Sequence, residues 1–153
     1  MDFEYATALK IIHIVTVVVG IGTVTLNGLY GAKAKAAGPN GGAAIGNANL
    51  EVSLVAEWFI YAIPVTGILM VIEIDGYDWG QTWIWLSIVL YVAAVGISHA
   101  SQIPAAKRMG ELMSQGPPTA ETEALEKRLA AGGMVLNLLA LAIIVLMVWK
   151  PGL

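Results

Sequence analysis

The chain has 153 residues, a net charge of −3, 58% hydrophobic residues and only 12% charged ones, with a mean hydropathy of +0.74. That is too few polar side chains to clothe a soluble domain, and an acidic balance offers no electrostatic footprint for nucleic acid. With no cysteine, disulfides, thiolate metal sites, cysteine-held iron–sulfur clusters and covalent c-type haem attachment are excluded.

The amino terminus, Met1-Asp2-Phe3-Glu4-Tyr5, is acidic where a secretory signal is basic, so the apolar run behind it reads as a retained membrane helix. That run, about residues 6–30, is the first of four stretches long enough to cross ~30 Å of hydrocarbon at about 1.5 Å per residue. Within it His13, Thr16, Gly20, Thr23, Asn27 and Tyr30 recur at spacings of three and four, which places them on one helix stripe. Such a stripe serves either as a packing seam of small and hydroxylated residues or as a lining for something bound. Residues 31–49, rich in Gly, Ala and Asn, read as a flexible loop.

The second stretch, about residues 50–74, carries Glu57, Pro64 and Gly67. A proline in mid-membrane frees a backbone carbonyl, which bends the helix or binds something. Residues 75–81 form a short acidic turn. The third stretch, about residues 82–103, opens with Trp83 and Trp85 and contains His99 between Gly96 and Pro104. Residues 105–128 read as a longer loop broken at Gly116-Pro117-Pro118, with Thr119 as an N-cap and Glu121, Glu123 and Glu126 leading into the last helix. The fourth stretch, about residues 129–149, contains Asn137 and ends at Lys150-Pro151. Trp79, Trp83, Trp85 and Trp149 gather at one interface, as an aromatic belt does.

These elements predict an all-α polytopic membrane protein, one domain over residues 1–153, with four transmembrane helices in an up-down-up-down bundle. Lys33, Lys35, Lys107, Arg108, Lys127 and Arg128 fall in loops one and three. The other side holds only Lys10 and Lys150, beside Asp2, Glu4, Glu73, Asp75 and Asp78. The positive-inside rule then places loops 31–49 and 105–128 in the cytoplasm and both termini on the outer side of a plasma (inner) membrane.

Ionisable groups at bilayer depth face the bundle interior. His13 lies ~12 Å in from the outer end, and His99 differs from it in depth by ~10 Å, so one haem iron bridging both would need tilted or displaced helices. Glu57 lies near the level of His99, and Asn27 and Asn137 fall in the same half of the bilayer. The expectation is an intramembrane polar layer of Asn27, Glu57, His99 and Asn137. It serves either to fix helix register or as a proton path or ligand site open to the cytoplasm.

Leu9-Lys10-Ile11-Ile12-His13-Ile14 with Gly20-Ile21-Gly22, Pro64-Val65-Thr66-Gly67, Trp85-Leu86-Ser87-Ile88-Val89-Leu90-Tyr91-Val92 and Leu146-Met147-Val148-Trp149-Lys150-Pro151 together resemble a bacterial family of predicted four-helix integral membrane proteins of unknown function. More distantly, a helix-one His and a terminal Val-x-Lys-Pro are similar to HemJ-type protoporphyrinogen oxidases and CopD-type copper-resistance proteins. The HemJ-type similarity implies haem b, with His13 as the ligand to its iron; His99, the other histidine in a bilayer helix, is the second candidate. The chain departs from the HemJ type at Asn27-Gly28-Leu29-Tyr30 and in carrying no basic residue from Trp83 to Tyr91. Three functions therefore stand at the level of sequence: a haem-b-binding or redox-linked membrane protein; an accessory or scaffold subunit that associates with other membrane subunits or with itself; and a proton- or solute-conducting element using Glu57 and His99.

Overall fold

A computed structural model describes residues 3–152; Asp2, counted above in the charge balance of the outer side, lies outside the described residues. The chain forms α1 (Phe3–Ala36), α2 (Gly38–Glu73), α3 (Thr82–Ile97), a π-helical turn (Ser98–Gln102), α4 (Ile103–Gln115) and α5 (Ala120–Trp149). No strand occurs among the described residues. Four helices, Glu4–Ala36, Gly41–Glu73, Thr82–Gln115 and Ala120–Trp149, are long and apolar enough to cross a membrane. The expected architecture of a four-helix membrane protein is thus present. α1 packs along α2, α3 and α4 pack on α5, and α1 and α2 also touch α5 and α4 respectively across the two hairpins.

The helices outrun the expected spans. A 33-residue helix is roughly 50 Å long against ~30 Å of hydrocarbon, so each hairpin projects beyond the bilayer at its basic end. The expected loop 31–49 is a correction: it is helical on both sides of a one-residue turn at Ala37, with Gly38 at φ +70°. Alanine, the best helix former, alternates there with glycines that admit close approach. A Cβ on Gly42 would stand 2.5 Å from the Ala34 carbonyl oxygen. The expected loop 105–128 is likewise mostly helix; only residues 116–119 interrupt it, and α5 begins nine residues earlier than the apolar run does. Thr119 caps it as expected. Its hydroxyl accepts from the Thr122 N–H while the Thr119 N–H donates to Thr122 Oγ1.

The two ends are closed differently. At the basic end Lys35 pairs with Glu126 at 2.7 Å and Arg108 with Glu121 at 2.9 Å, exposed contacts that orient the hairpins more than they stabilise them. At the tryptophan end Lys150, with left-handed φ of 47°, turns back to donate to Tyr77 Oη at 2.7 Å and lies over the Tyr77 and Trp83 rings. Trp83 is buried in this cluster, whereas Trp79, Trp85 and Trp149 are exposed as an interfacial belt requires.

Pro64 sits inside α2 and cannot donate to the Ile60 carbonyl. Tyr91 Oη of α3 donates to that carbonyl instead, at 3.1 Å. The freed acceptor is thereby satisfied by a neighbouring helix rather than by water.

Two predictions follow from this packing. Gly42→Ala should cost about 1–3 kcal/mol through overpacking against backbone. Gly46→Ala, with open space around the new methyl, should be neutral or stabilising by up to about 1 kcal/mol; thermal denaturation in detergent measures both. In a double-mutant cycle, Tyr91→Phe should cost about 1–3 kcal/mol in the parent chain and markedly less with Pro64→Ala, which restores the helical donor.

Candidate functional site

α2 carries Glu57 and Tyr61 four residues apart, hence on one helix face. The helix that begins at Thr82 brings His99 against them. Pro104 shapes this approach: it has no N–H and its ring excludes the carbonyl four residues back. The turn before it widens, with the Ile103 N–H bonding Ser98 O in the i→i−5 pattern of a π-turn. His99 occupies this turn.

The three side chains form one hydrogen-bonded chain. Tyr61 Oη donates to Glu57 Oε1 and lies 2.8 Å from His99 Nε2. Glu57 Oε1 and His99 Nε2 are 3.3 Å apart. On the far side of the ring, His99 Nδ1 donates to the Val95 carbonyl at 3.0 Å. That bond fixes Nδ1 as a donor, so Nε2 is the nitrogen free to exchange its proton. By residue rise, the group lies roughly 18–25 Å from the tryptophan end of the bundle, within the hydrocarbon and toward its basic side. His99 is 47% exposed and Glu57 29%, so the flank is open in the isolated chain.

This arrangement has two balanced protonation states. In one, imidazolium Nε2–H donates to Tyr61 Oη, whose own hydrogen points to a Glu57 carboxylate. In the other, the proton on Nε2 has passed to Tyr61 Oη as the tyrosine proton passed to Glu57. Neutral His99 then accepts from Tyr61, and Glu57 is a carboxylic acid. One N–H bond breaks, one carboxyl O–H forms, and the hydroxyl keeps one hydrogen throughout. In a medium that penalises isolated charge, such a short bonded pair is the form in which a carboxylate and an imidazole can coexist.

Of the expected polar layer, the structure therefore brings Glu57 and His99 together. Asn27 instead accepts from Ser53 Oγ at 3.3 Å, joining α1 to α2 one turn from Glu57. Asn137, half-buried on α5, takes no part in the network. Tyr61 was not anticipated from sequence. Its signal was available: a tyrosine four residues from a membrane carboxylate and away from the interfacial belt.

His13 belongs to a separate site. It is 6% exposed, and Nδ1 lies 2.8 Å from Thr66 Oγ1. The Thr66 hydroxyl proton is directed to the Ala62 and Ile63 carbonyls, at 2.9 and 3.0 Å, so the oxygen accepts from Nδ1–H. Gly67 gives the ring its room, a Cβ there standing 3.3 Å from His13 Cε1. Thr66 and Tyr61 are separated by roughly 7 Å along α2, and both His99 nitrogens are engaged. The pair does not fit a single haem held from opposite faces by His13 and His99. Among the described residues, no cluster of three or more His, Cys, Asp or Glu could hold a metal ion.

Residues 7–151 match the family described as predicted integral membrane protein (DUF2269), and the chain belongs to that family. No curated protein matches it, and no solved structure does.

Tyr61→Phe removes the bridging hydroxyl while keeping the ring. It should shift the ¹⁵N resonance of His99 Nε2 in detergent-solubilised protein, whereas Tyr91→Phe, whose hydroxyl serves a backbone carbonyl, should leave it nearly unchanged.

Proposed function

We propose that this DUF2269 member is a small proton-exchanging membrane protein, with Glu57, Tyr61 and His99 as its relay. The continuous hydrogen-bonded chain at bilayer depth carries this reading. A structural polar layer needs only satisfied partners, while this one has a titratable group at each end and a hydroxyl able to pass a proton between them. The excess of Lys and Arg at the basic end supports placing that end in the cytoplasm, with both termini on the outer side of the plasma (inner) membrane. The relay would then exchange protons with the cytoplasm. Its half-exposed flank is covered in the bilayer by a second copy of the chain or another subunit, because lipid cannot solvate these groups.

A second reading rests on His13. A ligating histidine characteristically donates its other ring N–H to an oxygen that fixes its orientation, and the Nδ1–Thr66 bond supplies that. His13 alone would hold haem b through Nε2, and the group would contribute one-electron redox chemistry.

In proteoliposomes under an imposed K⁺ diffusion potential with a pH-sensitive dye, the parent chain should carry proton flux. Glu57→Gln and Tyr61→Phe should lower it at least tenfold. Flux unchanged by both substitutions removes the relay reading. The haem reading predicts a Soret band in purified, haem-supplemented protein that His13→Ala abolishes and His99→Ala does not.

A further inference from the structure

The relay sits on a longer polar seam. On α2, Asn49, Ser53, Glu57 and Tyr61 follow one another at four-residue intervals. On the antiparallel α3 rod, Ser87, Tyr91, Val95 and His99 do the same. Both sets rise about 6 Å per step. That is close to the span of one water bridging two groups through hydrogen bonds of about 2.8 Å each. The structure joins the sets where they cross: Tyr91 Oη reaches the Ile60 carbonyl beside Tyr61, and His99 meets both Tyr61 and the Val95 carbonyl.

The ends of the seam carry an independent mark. Three buried side-chain atoms lack a hydrogen-bond partner among the described residues: Ser87 Oγ, Asn49 Oδ1 and Gln102 Nε2. Gln102 lies off the seam, its amide lodged where Gly132 has no side chain. The other two stand at opposite ends of it. Ser87 is 3% exposed, roughly 7 Å from the tryptophan end, and Asn49 lies past the relay at roughly 36 Å. The Ser87 hydroxyl, unpaired at that depth, carries an uncompensated desolvation cost unless water completes it. Alanine would fill the Ser87 site equally well as packing.

We propose that ordered water binds at Ser87 and at Asn49, one beyond each end of the relay, and that water between these points and the relay completes a hydrogen-bonded file. The file runs Ser87, Tyr91, Tyr61, His99 with Glu57, then turns round α2 to its α1 side at Ser53 with Asn27, and ends at Asn49. Protons from the tryptophan end reach the relay through Ser87 and Tyr91, crossing from Tyr91 Oη to Tyr61 Oη by water because the Ile60 carbonyl is a terminal acceptor, and those from the basic end through Asn49 and Ser53. This rests on the relay reading for its direction of use, though the hydration of the seam does not.

Water-edited solid-state NMR of the full chain in liposomes, labelled at serine and valine, tests the hydration directly. Ser87 should receive magnetisation from water several-fold faster than Val89, which lies two residues away and is 54% exposed on the lipid side. Ser53 should match the exposed Ser114. Build-up at Ser87 no faster than at Val89 overturns the file. Ser87→Val should lower proteoliposome proton flux at least fivefold, and Thr25→Val on the lipid-facing side of α1 should not; equal flux in Ser87→Val and parent likewise overturns it. A hydrated Ser87 in a chain that carries no flux would leave the water sites standing and remove the relay. Flux with a dry Ser87 would do the reverse.

Discussion

Hydrocarbon offers no hydrogen bonds, so every polar group within the spans must find its partner in the protein. The irregular features of this bundle answer to that single constraint. Pro64 deprives Ile60 of its helical donor, and a tyrosine from α3 reaches across to replace it. Thr66 spends its hydroxyl proton on its own helix and its lone pair on His13. Glu57 and His99 meet through Tyr61 rather than facing lipid as separate charges. These bonds also hold α2 to its neighbours on two sides, because apolar contact alone gives lipid-immersed helices little reason to prefer one another over the solvent.

The apolar spans were legible in the sequence because their signal is additive over some twenty residues and no other fold accommodates it. What lay beyond the membrane was not. Residues 31–49 look like a loop by composition, yet alanine's helix propensity and the room glycine gives at Gly42 allow two helices to continue nearly to their joint. The fourth helix starts at Ala120, where hydropathy is low and the Thr119–Thr122 cap, a local hydrogen-bond device, sets the boundary. The proximity of Glu57 to His99 followed from depth, which needs only residue counting. That Asn27 pairs with Ser53 while Asn137 takes no part in the network depends on rotation about each helix axis, and a count of residues along one helix does not fix its angle to another. Tyr61 went unread because tyrosine in a membrane helix ordinarily signals an interface.

The two histidines show how differently one residue type is used within a single bundle. His13 is buried, held by one hydroxyl and closely packed against glycine, a rigid ring with a fixed donor. His99 sits at a helix irregularity with both nitrogens engaged and a carboxylate within reach. In the readings proposed above, the first holds a ligand in one orientation and the second moves a proton. Their partners, Thr66 and Tyr61, are separated along α2, which keeps the two sites apart.

The π-turn has a consequence for the rod that contains it. One extra residue in a single turn advances the phase of everything after it by about 100° relative to a regular helix. The π-turn presents His99 to α2, Ser101 of the same turn accepts from Arg128 of α5, and Arg108 beyond it pairs with Glu121 at the base of α5. A uniform helix through the same stretch would align one of these faces and misdirect the other. The added residue thus works as a gear tooth, allowing one continuous transmembrane rod to mesh with two partners at different azimuths.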